Sequence, residues 1–375
     1  MAEHEPLLPA SITTKHGDVR LPVFLPDATR AVVRGLGADD LERCGIGALV
    51  ANAYHLGRSP GLGVVRRQGG LHRFLAWPHP IFTDSGGFQI YSLLTTEPRR
   101  GTVTRQGFLI RSSGSHHRLT PAKAVLAQHA LAADVAVCLD HCTHPSAAAS
   151  EQRRSVEHTV AWAQVCKNEL ERLKEQTGQG PLLFAVVQGG ADAALRRECA
   201  SRILEIGFDG YAFGGWPFHD DGRLREEVAL VASLVPRELP LWGLGIGNPD
   251  AIEEAFALGY RVFDCVLPTR DARQGRLLVP GEDELGARRG EPLRERRTYH
   301  YLYIQDEAHT RSDRPLSSSC DCLTCTRYTR GYLHHLFGLR DPLAVRLATH
   351  HNLRFYVRLM ERLHTQVPAG EKHGC

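Results

Sequence analysis

The chain has 375 residues, 42% of them hydrophobic and 23% charged, which is an ordinary composition for a globular protein with a large core. With 45 Lys and Arg against 42 Asp and Glu, the formal net charge is +3. That charge permits a polyanionic partner but falls short of the composition of a dedicated nucleic-acid-binding protein.

No stretch reaches the length of a membrane span, and the first ten residues lack the apolar core of a signal peptide. The ten cysteines are scattered except for one tight cluster near the C-terminus. This usage indicates a reducing compartment and a metal site, not a disulfide framework. We therefore expect a cytoplasmic protein with no membrane association.

Eight short apolar, β-rich runs recur in the first 267 residues, with helical patterns between most of them. The runs are residues 21–25, 47–51, 80–83, 134–138, 182–187, 209–213, 240–244 and 261–266. Eight strands alternating with helices over roughly 250 residues predict an α/β fold, the (β/α)8 TIM barrel. A doubly wound sheet is the alternative, supported only by the glycines of residues 243–247, which lack a complete dinucleotide-binding fingerprint.

Two helices between these runs have clear patterns. They cover residues 121–132, with Thr120 as N-cap and Pro121 at the first helical position, and residues 152–176. Residues 91–120 are too long for a simple connection. The β-rich triplets 102–104 and 108–110, on either side of a Gln-Gly pair, predict a hairpin inserted after the third strand.

Polar side chains and glycines follow the predicted strands. In a (β/α)8 barrel the active site lies at the carboxyl ends of the strands, so we expect these residues to face one mouth. They are Asp27, Asn52, His55, Asp84, Asp140, Gln188, Gly214, Gly215, Gly245, Gly247 and Asp264.

Asp264 interrupts an apolar strand, where an unpaired carboxylate is costly and is therefore hydrogen-bonded or functional. Arg270, Arg273 and Arg276 follow it. An acid with a basic loop behind it suits chemistry on a phosphate-bearing substrate. The alternative is a structural aspartate paired with one of those arginines.

Asp84 lies beside two glycines that allow close approach of a ligand. Two carboxylates on opposite sides of a barrel mouth suit displacement at an anomeric carbon, where one attacks C1′ and the other moves the proton. Asp140 can accept hydrogen bonds from the N1–H and 2-amino edge of a guanine-like base, while Gln188 and the Gly214-Gly215 amides meet its carbonyl. The alternative for residues 140–144 is a second metal site.

Beyond the strands, residues 280–297 have the mixed charge of a solvated linker. Cys320, Cys322 and Cys325, with a later histidine, supply four ligands for a closed, structural zinc site. Spacing does not choose between His350 and His351. Residues 328–337 and 342–363 are predicted helices that cover the metal.

We expect a catalytic barrel domain over residues 1–279 and a zinc-binding helical subdomain, packed on the barrel, over residues 280–375.

Together these motifs resemble those of the tRNA-guanine transglycosylase family, the queuine tRNA-ribosyltransferases, over nearly the whole chain. The similar segments occur in the family's order: residues 83–89, Asp140-x-Cys142-Thr143, residues 187–190, Gly214-Gly215, residues 245–247, residues 263–273 and the cysteine cluster. Residues 332–336 and 351–353 also resemble the family.

The resemblance implies a pentosyltransferase that exchanges guanine at wobble position 34 of the tRNA anticodon loop for a 7-deazaguanine base, queuine or its precursor. Asp264 is then the nucleophile that forms a covalent ribosyl–enzyme, and Asp84 is the general acid/base. The other implied roles are base-edge recognition by Asp140, Gln188, Gly214 and Gly215, stacking on the base by Phe88 and Leu244, RNA binding by Arg270 and Arg273, and one structural zinc ion held by Cys320, Cys322, Cys325 and His351. We also expect a homodimer.

The chain departs from the family pattern at three places. Residues 216–221 read Trp-Pro-Phe-His-Asp-Asp where typical members carry a leucine, small residues and Gly-Glu. His141 replaces an acidic residue, and residues 27–30 replace a glycine-rich turn. These departures leave the exchange chemistry intact and concern the choice of incoming base.

Three alternatives remain at this point. One is a non-catalytic partner subunit of the same fold, although both Asp84 and Asp264 are present. Another is a relative that acts on DNA or on another tRNA position. The third is an unrelated metal-dependent barrel hydrolase, which requires a His-x-His after the first strand, where this chain has Asp27.

Overall fold

The computed structural model describes residues 8–112, 115–281 and 299–367. The strands are β1 (Ser11–Thr14), β2 (Gly17–Arg20), β3 (Val23–Pro26), β4 (Leu49–Asn52), β5 (Ile81–Asp84), β6 (Gly101–Thr104), β7 (Gly107–Ser112), β8 (Ser115–Leu119), β9 (Val135–Val137), β10 (Leu182–Val187), β11 (Gly210–Phe213), β12 (Leu241–Gly243), β13 (Val262–Cys265), β14 (Arg276–Pro280) and β15 (Tyr299–Tyr303).

The α-helices are α1 (Ala38–Cys44), α2 (Ala53–Arg58), α3 (Leu62–Arg67), α4 (Leu71–Leu75), α5 (Gly87–Thr96), α6 (Pro121–Ala130), α7 (Ala149–Thr177), α8 (Ala193–Ile206), α9 (Glu226–Leu234), α10 (Pro249–Leu258), α11 (Leu267–Arg273), α12 (Leu323–Arg327), α13 (Arg330–Leu339) and α14 (Pro342–His364). Short 3₁₀ helices cover Pro98–Arg100 and Glu307–His309.

The centre of the molecule is an eight-stranded parallel sheet in the order β3-β13-β12-β11-β10-β9-β5-β4. A parallel bridge between Asp27 and Val50, with a hydrogen bond of 2.7 Å from Ala28 N–H to Val50 O, joins its two outer strands. The order therefore follows the chain around a barrel and does not reverse, as it does in a doubly wound sheet. All eight predicted strands and the TIM-barrel class are confirmed, and the doubly wound alternative is wrong.

The strands are apolar on both faces because both faces are covered. One set of side chains, including Val50, Phe82 and Trp242, packs inside the barrel. The other set packs against the surrounding helices. The β1–β2 hairpin contributes Ile12 and Val19 to the inner cluster and so covers the end of the barrel opposite the strands' carboxyl ends.

The inserted hairpin after the third strand is confirmed, but the insertion is larger than predicted. β6, β7 and β8 form a three-stranded antiparallel sheet, hereafter the inserted sheet. Its first turn lies at Arg105-Gln106, between the paired residues Thr104 and Gly107. The third strand, β8, was not predicted.

The predicted helices are also present. Thr120 caps α6 by accepting a hydrogen bond from Lys123 N–H, as expected. The helix expected at residues 328–337 begins at Arg330 instead, because the Thr329 hydroxyl accepts from Tyr332 N–H and caps it there. Most of the predicted linker at residues 280–297 lies outside the described residues.

The long helix α14 fastens the C-terminal part of the chain to the barrel. Tyr356 donates a hydrogen bond of 2.6 Å to Gly247 O, and the Asn352 side chain bonds to Pro268 O, Arg276 O and Leu278 N–H. The expected boundary between residues 279 and 280 falls within β14, and this division into domains stays a prediction. Across residues 8–112, 115–281 and 299–367, no helix combines the length and apolar character required to cross a bilayer.

Candidate active site

The carboxyl ends of the barrel strands surround an open cavity of about 350 Å³. Nine residues predicted for the site line it: Asp84, Phe88, Asp140, Gln188, Gly214, Gly215, Leu244, Gly245 and Asp264. Residues that are up to 180 positions apart in the chain thus meet at one mouth, as the barrel prediction requires.

Asp264 lies on β13 at the edge of this cavity. Its Oδ1 accepts hydrogen bonds from Trp242 Nε1–H (2.9 Å) and Gly245 N–H (3.0 Å). These donors, not an arginine, hold the carboxylate, while Arg276 pairs with Asp271. Burial raises the pKa of Asp264 to about 7, and the nearby charge of Asp84 adds to the increase.

Asp84 ends β5 on the other side of the mouth. It accepts hydrogen bonds from Asn52 Nδ2 (2.8 Å), Gly86 N–H (2.6 Å) and Gln89 Nε2 (3.2 Å). Burial raises its pKa in spite of these donors. Gly86 has a φ of 86°, a left-handed conformation that an L side chain rarely adopts, and it lies against Tyr54. The turn that orients Asp84 therefore requires glycine.

Asp140 and Gln188 form a polar pair on one wall, where Gln188 Nε2 donates to Asp140 Oδ2 at 2.6 Å. Burial raises the pKa of Asp140 to about 6. Within the described part of the chain, the buried Gln188 Oε1 has no hydrogen-bond partner. A Cβ on Gly214 would lie 2.6 Å from Gln188 Nε2, so this wall accommodates the amide only because residue 214 is glycine.

Arg196 supports this wall and was not identified from the sequence. The side chain is buried under Phe213 and donates hydrogen bonds to Gly190 O (2.8 Å), Val187 O (3.1 Å) and Gly214 O (3.1 Å). It therefore joins the ends of β10 and β11. The sequence does indicate that this side chain is buried, because Arg196 lies on the same helical face as the apolar residues Cys199 and Ile203.

An aromatic cluster forms the outer wall. The Trp216 ring lies 5.2 Å from Phe88, 5.7 Å from Tyr91 and 5.4 Å from His144, measured between ring centroids. Phe88 is 45% exposed in this arrangement, so its ring remains available to a planar ligand. Trp216 thus positions the residue that was predicted to stack on the base.

The second metal site considered at residues 140–144 is not formed. His141 stacks on His158, with 5.2 Å between the ring centroids, and His144 bonds to Ser146. In the described regions, no group of three potential metal ligands includes these residues. Trp162 stacks on His158 and lies 6.0 Å from His141, measured between ring centroids, so the two histidines are part of the packing.

Cys320, Cys322, Cys325 and His351 do converge, with their ligand atoms all within 4.8 Å of one another. His351 Nδ1 lies 3.6 Å from Cys322 Sγ and 3.3 Å from Cys325 Sγ, while Nε2 lies 2.8 Å from Leu278 O. The carbonyl therefore holds the Nε2–H tautomer and leaves the Nδ1 lone pair for a metal. Three thiols and one imidazole fit a tetrahedral zinc site.

A second group of potential ligands lies at the opposite end of the barrel. His16 Nδ1 and His72 Nε2 lie 2.7 Å and 3.0 Å from the two carboxylate oxygens of buried Asp134. The two rings stack with centroids 3.5 Å apart, so their in-plane lone pairs do not converge on one ion. These hydrogen bonds hold the β1–β2 hairpin against the barrel. They were not predicted from the sequence.

Arg270 and Arg273, the predicted RNA contacts, lie on α11 directly after Asp264, and both are exposed. Nothing in their immediate surroundings tests that role.

Comparison with known proteins agrees with this architecture. The family model described as Queuine tRNA-ribosyltransferase matches residues 9–373. A Queuine tRNA-ribosyltransferase from Desulfosudis oleivorans is 37% identical over 362 residues, covering 96% of this chain and 88% of the relative. Relatives with the same name from Koribacter versatilis and Moorella thermoacetica are 38% and 36% identical, each covering 96% of this chain and 90% of the relative.

The chain belongs to the queuine tRNA-ribosyltransferase family. The resemblance inferred from the motifs is thus confirmed, and with it the class of enzyme, a pentosyltransferase. Membership also excludes the unrelated metal-dependent hydrolase that was considered as an alternative.

Proposed function

We propose that this protein is a tRNA-guanine transglycosylase that replaces guanine at wobble position 34 with a 7-deazaguanine base through a covalent aspartyl-ribosyl intermediate. The observation that carries the proposal is the position of Asp84 and Asp264 in one cavity beside the Asp140–Gln188 pair. Two carboxyl groups and a guanine-reading edge are what base exchange at C1′ requires. The names of the relatives support the same activity.

In the first half-reaction, the Asp264 carboxylate attacks C1′ as the C1′–N9 bond breaks. The bonding electrons pass to the departing guanine, which takes a proton from Asp84. In the second half-reaction, Asp84 removes the ring proton of the incoming base, whose nitrogen then attacks C1′ and releases Asp264. Two inversions retain the configuration at C1′.

The local environment suits each role. Trp242 and Gly245 direct Asp264 from a packed strand, so the attacking oxygen has a defined direction. Asp84 lies at a glycine-containing turn, and burial raises its pKa, as suits a group that must both hold and release a proton near neutral pH. Asp140 and Gln188 recognise the base edge, and Phe88 with Leu244 encloses its plane.

The cysteine cluster holds one structural zinc ion in this proposal, because four protein ligands leave no open coordination position. The metal stabilises the subdomain of residues 280–375 against the barrel. Arg270 and Arg273 bind the anticodon loop. We further propose a cytoplasmic homodimer.

The experiment is incubation with radiolabelled guanine and either bulk tRNA or duplex DNA. We expect label in tRNA alone, in wild type but not in Asp264→Asn or Asp84→Asn. With a deazaguanine present, a denaturing gel should trap a covalent RNA adduct of wild type, and Asp264→Asn should not form it. Uptake by DNA alone would overturn the tRNA assignment, and an adduct with Asp264→Asn but not Asp84→Asn would reverse the two roles.

A further inference from the structure

The charge of this chain is distributed unevenly. Residues 43–133 contain eleven Lys and Arg but two Asp and Glu, and one of those acids is Asp84 inside the cavity. The remainder has 34 of the 45 basic residues and 40 of the 42 acidic ones. The small net charge therefore conceals a strongly basic segment on an otherwise acidic chain.

The basic side chains of this segment are at the surface. Exposed arginines of the inserted sheet and the 3₁₀ helix before it are Arg99, Arg100, Arg105, Arg111 and Arg118, and those of α2, α3 and α4 are Arg58, Arg66, Arg67 and Arg73. Glu97, the one acid here outside the cavity, pairs with Arg100. The surface formed by these exposed arginines thus carries a large excess of positive charge.

The inserted sheet packs against α7 and the loop after β9. Phe108 and Ile110 are buried on its inner face. Phe108 packs on Trp162, with 5.4 Å between ring centroids, and faces His141 at 6.4 Å. His141 directly follows Asp140 of the cavity. The sheet is therefore packed against the loop that carries a base-reading residue.

The outer face of the sheet presents the arginines. Side chains alternate along a strand, so Arg111 points away from the core that Phe108 and Ile110 enter. Arg118 pairs with Leu109, the residue between those two, and so shares the outer face. Arg105 lies in the first turn, and its carbonyl accepts a hydrogen bond of 2.7 Å from Trp162 Nε1–H.

These elements are neighbours around the barrel mouth. The strand order places β13, β3, β4 and β5 side by side. Arg270 and Arg273 follow β13, and Arg30 and Arg34 follow β3. Arg58 lies on α2, directly after β4, and the loop after β5 forms the inserted sheet. Exposed arginines therefore follow each of these four neighbouring strands.

We infer that the arginines of the inserted sheet bind the phosphate backbone of the substrate RNA outside the segment that enters the cavity. The inference rests on the proposed function. An outward row of arginines on a packed sheet suits phosphates, which fix the position of a nucleic acid without reading its bases. When a nucleotide enters the cavity, its flanking backbone remains outside the mouth, and the inserted sheet is part of the loop that follows β5 at this mouth.

The test compares two triple variants in guanine exchange on full-length tRNA at several salt concentrations. The first variant replaces Arg105, Arg111 and Arg118 with Gln. The matched control replaces Arg153, Arg172 and Arg197, exposed arginines of α7 and α8, with Gln. We expect the first variant to raise KM about tenfold with kcat unchanged, and to reduce the slope of log KM against log salt by about 2, since each lost phosphate contact removes roughly 0.7–0.9.

Lys at the same three positions should restore the slope, because it keeps the charge. An unchanged KM and slope in the first variant, or an equal effect of the control, would refute the inference while exchange by wild type upholds the proposed function. If wild type exchanged no guanine, the proposed function would fail. Direct RNA binding by wild type, the first variant and the control would still decide the role of the inserted sheet.

Discussion

At the scale of single residues, the site depends on carboxyl groups whose surroundings oppose their ionisation. Burial raises the pKa of Asp84, of Asp140 to about 6 and of Asp264 to about 7. Each is held by donated hydrogen bonds instead of a cation, which keeps it oriented but still able to take up a proton. Such groups are common at catalytic sites and are costly for the fold.

Because a buried carboxylate is costly for the fold, we expect Asp264→Asn to change stability in a pH-dependent way. The pKa of Asp264 is higher in the folded protein, about 7, than its ordinary value of 3.8, so its protonated form favours folding and that contribution is lost as pH rises through about 7. At pH 8 Asn should therefore raise the melting temperature by an amount on the order of a few degrees, and at pH 5 by less. A smaller rise in melting temperature at pH 8 than at pH 5 would contradict the raised pKa of Asp264.

Trp242 should influence the ionisation of Asp264, the proposed nucleophile. Its indole N–H donates to the Asp264 carboxylate and lowers the pKa of that group, so Trp242→Phe should raise the pKa of Asp264. The rate of exchange, which requires the ionised form, should then reach its plateau at a correspondingly higher pH. Trp242→Phe with an unshifted pH profile and a lower rate at every pH would indicate a packing role alone.

At the scale of elements, the loops after the strands determine the shape of the pocket. Arg196 on α8 ties together the ends of β10 and β11, and the segment after β11 places Trp216 against Phe88 of α5. Trp216, Pro217 and Phe218, the first three residues of the segment 216–221, therefore line one wall of the cavity.

We predict that this segment selects the incoming base. Replacing residues 216–221 with a family-typical Leu, small residues and Gly-Glu should shift the relative kcat/KM among 7-substituted deazaguanines, because two bulky aromatic side chains leave the wall. Differences in a single pocket contact are worth about tenfold. Guanine exchange, which needs no 7-substituent, serves as the internal control and should continue. Unchanged preference would place the determinant elsewhere.

At the scale of the whole molecule, the barrel and the C-terminal segment that contains the candidate metal ligands share one core. Leu353, Tyr356 and Leu359 of α14 belong to the same cluster as the helices around the barrel. The metal cluster is linked to the barrel side through His351 and Leu278 O. Removing the metal should therefore lower the stability of the fold before it lowers the rate of exchange.

Accordingly, a chelator should lower the melting temperature by several degrees, while the protein that remains folded keeps its exchange rate. Cys322→Ser should lose this response to the chelator, whereas Cys166→Ser, which changes a buried cysteine outside the cluster, should retain it. Loss of activity on metal removal without any loss of stability would contradict a structural role.

The sequence by itself determined the barrel, the positions of the site residues at its mouth and three of the four potential zinc ligands. These follow from patterns that are local: apolar runs of strand length, polar residues at their ends, and three cysteines within six positions. The family resemblance then selected His351 over His350, which spacing alone did not.

Only the tertiary structure decided which groups are partners across long stretches of chain. His16 and Asp134 are 118 positions apart, and Trp242 and Asp264 are 22 apart, so no local period connects them. The helical pattern places Arg196 on an apolar face, but it does not identify the three carbonyls of Val187, Gly190 and Gly214 that accept its hydrogen bonds. A hydrogen-bond partner is set by how elements pack, and that packing depends on the whole chain.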